Sequence, residues 1–450
     1  MILAIDQSTS ATKAMLFDEN LALVSRVSVE HKQFYLQPGW VEHDPEEILA
    51  NTYNSVKQLL AQTRINPSEI KSVAITNQRE TVVVWDKHTG KPIYNAVVWQ
   101  CNRGTKICDE LITLGYEKSI KEKTGLIINP YFSASGVKWI LDNVEGAAQS
   151  AREGHLLMGT IDSWLIWNFT SGKVHATDYT NASRTLLFNI HNLDWDIELL
   201  NLFNIPVSMM PKILASDSKF GTTTLNKMFP EIPIAGVLGD SHGALAGQMC
   251  FSKGMGKATY GTGSSIMVNI GEKPLPAPNG LVTSVGFSAK KKVFYVFEGN
   301  IHCTGATIKW MQDELQIVQS AEETETLADS IESTDRVYLV PAFTGLGAPW
   351  WDSEAKALIC GMSRGTTKAH IVRAGLESIA YQVKDIIKLI QNSGINLIEL
   401  KVDGGPTKNN FLMQFQADVL QVKIKRSKIE EASALGAVMM NGFALNLFDN

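Results

Sequence analysis

The sequence predicts an α/β protein built from two duplicated domains, and three observations carry that expectation. The first is length: 450 residues exceed what one ordinary hydrophobic core organises. The second is a repeated strand–turn–strand unit. Met1–Asp6 runs into Gln7-Ser8-Thr9-Ser10 and out through Thr12–Phe17, and Lys257–Tyr260 runs into Gly261-Thr262-Gly263-Ser264 and out through Ser265–Ile270. The third is the mixing of strand and helix periodicities along both halves.

The first strands continue through Leu21–Glu30 after a turn at Asp18-Glu19-Asn20, which gives a three-strand meander. A helix follows at Asp44-Pro45, with a capping residue, a proline in first position and Glu46-Glu47 in the first turn. Its apolar residues Leu49, Tyr53, Val56 and Leu60 recur at helical spacing. The strand at Ser72–Ile75 leads into the loop Thr76–Glu80, and the apolar run Ile234–Leu238 ends at Asp240.

In the second half, strands are expected around Ala258–Ile270 and Val293–Glu298, followed by a helix from Thr304 to Leu315. The longest helix spans about Lys368–Gln391, with Val372, Leu376, Ile379, Val383, Ile386 and Ile390 on one stripe. A strand at Leu397–Val402 meets Asp403-Gly404-Gly405-Pro406, Asn409 caps the next helix, and a last helix covers Glu430–Leu445. The small-residue joint Gly243–Gly247 places a boundary near residue 246, which gives domains 1–246 and 247–450.

Composition narrows the function classes. Hydrophobic residues are 44% and charged residues 19%, which fits a soluble globular chain rather than a disordered one. The balance of 41 Lys+Arg against 46 Asp+Glu offers no broad surface for nucleic acid. No apolar run reaches membrane-spanning length, and Asp6 interrupts the apolar start, so neither a membrane span nor a signal peptide is expected. The five cysteines lack C-x-x-C spacing and read as buried free thiols of a cytoplasmic protein. Nine histidines show no zinc spacing.

The turns themselves point to chemistry. Small, hydroxyl-rich turns between strands direct backbone N–H groups and hydroxyls at one spot, which suits phosphate. A carboxylate beside such a turn, as Asp6 is, repels phosphate unless a cation intervenes, which argues for Mg²⁺ held through water.

Several long stretches resemble the FGGY carbohydrate kinases, and within them the members that act on glycerol. They include Pro38–Pro45, Ile75–Thr81, Lys91–Gln100, Thr177–Arg184, Val340–Pro349 and Val402–Gly405. The resemblance implies two actin-like or hexokinase-like domains with ribonuclease-H-like cores and a central ATP cleft. It implies ATP and Mg²⁺ as cofactors and a small polyol or sugar as substrate, with glycerol and ATP giving sn-glycerol 3-phosphate and ADP. A homodimer or homotetramer is compatible with it.

Carried over residue by residue, Asp240 in Leu238-Gly-Asp-Ser-His-Gly243 matches the catalytic base, although a bare reading makes it a helix cap. Arg79 and Glu80 match the pair that hydrogen-bonds the polyol, where a bare reading gives a surface pair worth little. Trp99 and Tyr131 match the wall of that pocket. Asp6 matches the metal-serving aspartate, and Thr9, Ser10 and Lys13 match phosphate positions. Thr262, Gly305, Lys309, Gly405 and Asn409 match the nucleotide site, and the helix capped at Asn409 is expected to turn its positive end to the nucleotide.

The chain also departs from the family pattern. Lys13 stands where arginine is usual, Ser8 where glycine is usual, and Lys309 where glutamine is usual. Ser241 and His242 follow the catalytic aspartate in place of two glutamines, and Ser265 replaces a phenylalanine that packs on glycerol. A wider, more polar pocket keeps erythritol or a pentulose open as an alternative substrate. Relatives usually continue past Asn450. The loop Thr222–Pro230 lacks the segment used by some relatives to bind fructose 1,6-bisphosphate and the histidine that others phosphorylate, so neither control is expected. Two further classes compete: an actin-like or chaperone-like ATPase, and an inactive member that only binds ATP or polyol. Arg79-Glu80 beside a tryptophan has no purpose in the first, and retention of Asp6 and Asp240 argues against the second.

Overall fold

The computed structural model describes residues 1–352, 354–429 and 431–447. Contacts group the chain into two compact units. The first comprises residues 1–249, 284–295 and 431–447, and the second residues 250–283 and 296–429. The grouping is discontinuous in sequence.

The first unit is built on a six-stranded sheet in the order Lys219–Thr223, Ile232–Gly239, Ser72–Asn77, Ile2–Gln7, Ala11–Phe17, Leu23–Glu30. The last three strands form the expected meander, with Ile2 opposite Phe17 and Asp6 opposite Lys13. Ser72–Asn77 runs parallel to both Ile2–Gln7 and Ile232–Gly239. A parallel pair needs a crossover, and the helix Pro45–Thr63 supplies the first one. That helix starts as its sequence dictates: the Asp44 carboxylate accepts from the Glu46 N–H at 2.8 Å, and Pro45 sits in the first turn. Its buried Ile48, Val56 and Leu59 join Leu3, Ile5, Val73 and Ile75 in one core.

The opposite face of the sheet is covered by the final helix, Ala432–Ala444. Its Ala434, Ala437 and Val438 pack on Ile2, Ala4, Met15 and Ala74. Only small residues allow this close approach. A Cβ on Gly236 would fall 2.4 Å from the Ala437 carbonyl oxygen, and one on Gly436 would fall 2.0 Å from that of Gly243.

The second unit repeats the plan. Its strands include, in the order of the sheet, Ser264–Gly271, Met255–Tyr260, Glu399–Asp403 and Lys423–Arg426. The hairpin pairs antiparallel, Tyr260 opposite Ser264, and Met255–Tyr260 then runs parallel to Glu399–Asp403. Hairpin, then parallel crossover strands appear in the same order in both sheets, so the doubled turn of the sequence is a doubled topology. The helix Lys368–Asn392 buries the whole expected stripe from Val372 to Ile390. Four of the five cysteines are buried free thiols as expected, but Cys360 is exposed, because its short strand Leu358–Cys360 lies at the surface of the second unit.

Candidate active site

In the first unit, four segments deliver the expected residues to one place. The strand Ser72–Asn77 ends in a loop whose sharpest point is Glu80. This residue has φ 62°, and the Thr81 N–H reaches back to the Arg79 carbonyl at 2.6 Å. A non-glycine residue in the left-handed region is sterically costly and is kept where surrounding structure over-determines it. Here the surroundings do so. The Ser133 hydroxyl donates to the Glu80 carbonyl at 2.8 Å, and Arg184 Nε donates to its carboxylate Oε1 at 2.5 Å. The turn leaves the side chains of Arg79 and Glu80 adjacent and buried, with Nε and Oε1 3.9 Å apart.

Asp240 comes from the neighbouring strand. Ile232–Gly239 ends at Gly239, and the helix Asp240–Gly247 begins at once. The cap residue is therefore Gly239, and Asp240 is the first helical residue, its carboxylate accepting from the Ser241 N–H at 2.5 Å. Arg79 Nε lies 3.3 Å from Asp240 Oδ1. The Asp240 side chain stays 37% exposed, whereas Arg79 is buried, so the pair presents a carboxylate to solvent from a fixed cationic base. Gly239 makes room for this, since a Cβ there would fall 2.6 Å from Arg79 Cγ. Ser241 is half-buried, and His242 is fully buried with Nε2 3.3 Å from the Ser284 hydroxyl, a packed histidine.

The aromatic wall is also assembled. Trp99 and Tyr131 meet edge to face with ring centroids 5.4 Å apart. Trp99 Nε1 donates to the Thr9 hydroxyl at 2.9 Å, which ties the wall to the first turn. Arg184, quoted above only as part of a matching stretch, is the residue whose role the sequence did not reveal. Besides holding Glu80, its guanidinium lies 5.7 Å from the centroid of Tyr131.

In the first turn, the Ser8 N–H donates to the Ala11 carbonyl at 2.9 Å and the Ser8 hydroxyl donates to the same oxygen at 2.9 Å. Ser8 does not have positive φ, so serine fills the family's glycine position without strain. Ser10 is exposed at the tip. Asp6 is buried, and that burial pushes its carboxyl up to about 7; Lys13 opposes the shift while Asp240 and Glu431 add to it. Lys13 Nζ is held by both oxygens of Glu431, at 3.1 and 2.8 Å.

In the second unit, Thr262, Gly305, Lys309 and Gly405 line one cavity of about 560 Å³, together with Tyr260 and Trp310. An adjoining cavity of about 430 Å³ is lined by Gly305, Lys309, Gly405 and Asn409. All five nucleotide candidates therefore border two cavities that share a wall. The N–H groups of Gly305 and Ala306 donate to the carbonyls of Gly261 and Thr262 at 2.9 and 3.1 Å, so this helix start is satisfied by the turn. Lys309 is exposed and pairs with Asp313 at 2.5 Å.

Gly404 and Gly405 differ. Gly404 has φ 97° and a Cβ there would fall 2.0 Å from the Tyr260 carbonyl oxygen, whereas a Cβ on Gly405 meets nothing within 4 Å. Asn409 caps Asn410–Leu420 as expected, accepting from the Leu412 N–H at 2.8 Å. Glu325 takes the Asn410 N–H at 2.8 Å, so two of the donors at this helix start are used within the protein. Ser265 belongs to this unit, where its hydroxyl lies 3.5 Å from the buried Lys257 Nζ.

Comparison with known proteins identifies the family. The N-terminal domain of the FGGY family of carbohydrate kinases matches residues 1–247, and its C-terminal domain matches residues 256–445. The chain is 54% identical to glycerol kinase 1 of Thermotoga maritima over 100% of its own length and 92% of the relative's. It is 51% identical to glycerol kinase of Caldanaerobacter subterraneus over 100% and 90% of the two lengths. Among solved structures, Plasmodium falciparum glycerol kinase with ADP is 40% identical, with a TM-score of 0.95 over 100% of this chain and 90% of that one. Xylulose kinase from Lactobacillus acidophilus shares the fold at 21% identity and a TM-score of 0.90, covering 100% and 90% of the two chains. With both family domains spanning nearly its whole length, the chain belongs to the FGGY family of carbohydrate kinases.

Proposed function

We propose that this protein phosphorylates glycerol with ATP, giving sn-glycerol 3-phosphate and ADP. The observation that carries the reading is the Arg79–Glu80–Asp240 set, with Arg79 Nε 3.3 Å from Asp240 and 3.9 Å from Glu80 beside the Trp99–Tyr131 wall. A guanidinium donor flanked by two carboxylate acceptors matches adjacent hydroxyls, and the aromatic edge covers the carbon chain. The names of the relatives at 54% and 51% identity support glycerol over longer polyols.

In this reading the first unit holds the polyol and the second the nucleotide, with Thr262, Gly305, Lys309, Gly405 and Asn409 around the adenosine. Asp240 accepts the proton of the primary hydroxyl. The freed oxygen forms its bond to the γ-phosphorus as the bond from that phosphorus to the bridging oxygen of ADP breaks. Arg79, 3.3 Å from Asp240, orients that carboxylate, and Thr9, Ser10 and Lys13 bind phosphate oxygens.

The donor set fits Mg²⁺ held through water and phosphate. The described residues contain no group of three or more His, Cys, Asp or Glu side chains able to hold a metal on their own. Asp6, raised by burial and by neighbouring carboxylates, is a site where a cation would restore the charged form. Bound there, Mg²⁺ would neutralise charge on the phosphates. Free thiols, four of the five buried, fit a cytoplasmic enzyme; no described helix is long and apolar enough to cross a membrane.

A coupled ADP-release assay across glycerol, tetritols, pentitols and pentuloses tests the reading. Glycerol should give the highest kcat/KM. ATP turnover that does not depend on polyol would instead favour an ATPase, and preference for a pentulose would move the substrate.

A further inference from the structure

The phosphate residue Lys13 has a partner 418 positions away in the chain. Glu431 immediately precedes the final helix and grips the Lys13 ammonium with both carboxylate oxygens, at 3.1 and 2.8 Å. Arg26, on the neighbouring strand, donates to the same carboxylate at 2.8 Å. Glu431 is 10% exposed and Arg26 is 50% exposed, so the carboxylate is buried between one inward and one outward cation.

Its placement is fixed by backbone packing rather than by the ion pairs. The helix that follows is seated against Asp240–Gly247 so closely that a Cβ on Gly243 would fall 2.6 Å from the Ser433 carbonyl oxygen. The same scaffold therefore sets the positions of Glu431 and Asp240. Asp6, paired across the hairpin with Lys13, feels that cation and two further acids, Asp240 and Glu431. A triphosphate arriving at the first turn meets a cation already engaged.

We infer that Glu431 is a positioning residue for the phosphate turn: it holds Lys13 when nucleotide is absent and yields it to the triphosphate, while Arg26 keeps the carboxylate paired. The inference rests on the reading of Lys13 as a phosphate ligand. It follows that Glu431 competes with phosphate, so neutralising it strengthens nucleotide binding. Arg26 draws on the same carboxylate, so removing Arg26 leaves Glu431 to Lys13 alone and weakens binding.

Calorimetric titration of ATP into polyol-free protein separates the cases. Glu431→Gln should bind ATP about three- to tenfold more tightly than the unmodified chain, the range expected for a partly buried ion pair. Arg26→Gln, at an exposed position where folding is not at stake, should bind it about two- to fivefold more weakly. Both effects should vanish in a Lys13→Met background. Unchanged or weaker binding by Glu431→Gln, or effects that persist without Lys13, would overturn the inference. If Lys13→Met alone leaves ATP affinity unchanged, Lys13 is not a phosphate ligand, and that reading fails together with the inference.

Discussion

Arg184 Nε donates to Glu80 Oε1 at 2.5 Å across 104 residues of sequence, and both side chains are buried. This pair fixes one acceptor of the proposed polyol site, because Glu80 sits at a strained turn that has no reason to persist alone. Removing one partner of a buried ion pair leaves a charge uncompensated and costs about 3–5 kcal/mol. Arg184→Met should lose stability on that order and raise KM for glycerol at least about tenfold, while ATP affinity holds. Chemical denaturation and steady-state kinetics check both; an unchanged KM in folded protein would remove Glu80 from polyol binding.

Gly239→Ala offers a cleaner perturbation. Its φ of −61° and ψ of 148° suit alanine, so the obstacle is steric: the new Cβ would fall 2.6 Å from Arg79 Cγ, 2.9 Å from its Cδ and 3.3 Å from His242 Nδ1. Overpacking of this kind costs about 1–3 kcal/mol. Displaced Arg79 should lower kcat/KM for glycerol by about tenfold or more, with nucleotide binding intact. A crystal structure of the variant with Arg79 unmoved and activity reduced would contradict the explanation.

Asp6 gives a pH dependence. Its carboxyl is raised from 3.8 to about 7 in the folded chain. The protonated form is favoured by folding, so its contribution is fully present below about pH 4 and is lost as pH rises through about 7. The charged form at pH 8 therefore destabilises the ligand-free protein by about 2–4 kcal/mol. Asp6→Asn should melt at a higher temperature at pH 8, with the gain shrinking towards pH 4, and should bind MgATP more weakly. Equal melting temperatures of the two proteins at pH 8 would contradict the raised carboxyl.

Gly405 tests the nucleotide site in the second unit. Its Cβ direction is open and its φ is ordinary, so Gly405→Ala should stay within about 0.5 kcal/mol of the original stability. If adenosine lies against this backbone, the added methyl should weaken ATP by at least about fivefold. Gly404→Ala, which meets the Tyr260 carbonyl, should instead destabilise the fold. Unchanged ATP affinity in Gly405→Ala would place the nucleotide elsewhere.

Local features of the chain were legible because local rules govern them. Asp44 and Asn409 cap the helices they precede, the meander pairs as its turns implied, and the doubled turn is a doubled topology. Asp240 was legible only as an aspartate at a strand end; that the helix starts on it rather than after it depends on Gly239 serving as cap. What stayed hidden is carried by partners distant in sequence. Nothing local to Arg184 points to Glu80, and nothing local to Glu431 points to Lys13. The need for glycine at 239 likewise comes from a side chain on another strand's loop. Patterns of hydrophobicity place elements, whereas the partner of a buried charge is chosen by the packing of elements already formed.

The proposed proton transfer turns on Asp240, whose carboxylate stands 3.3 Å from Arg79 Nε with more than a third of its surface open. Asp240→Asn keeps the shape and removes the base. Single-turnover phosphorylation of glycerol, measured beside ATP affinity by calorimetry, is the most direct test. The expected result is a rate lower by about 10³-fold or more with ATP affinity within about twofold. A variant that still phosphorylates glycerol within about tenfold of the original rate would contradict the assignment of Asp240 as the proton acceptor.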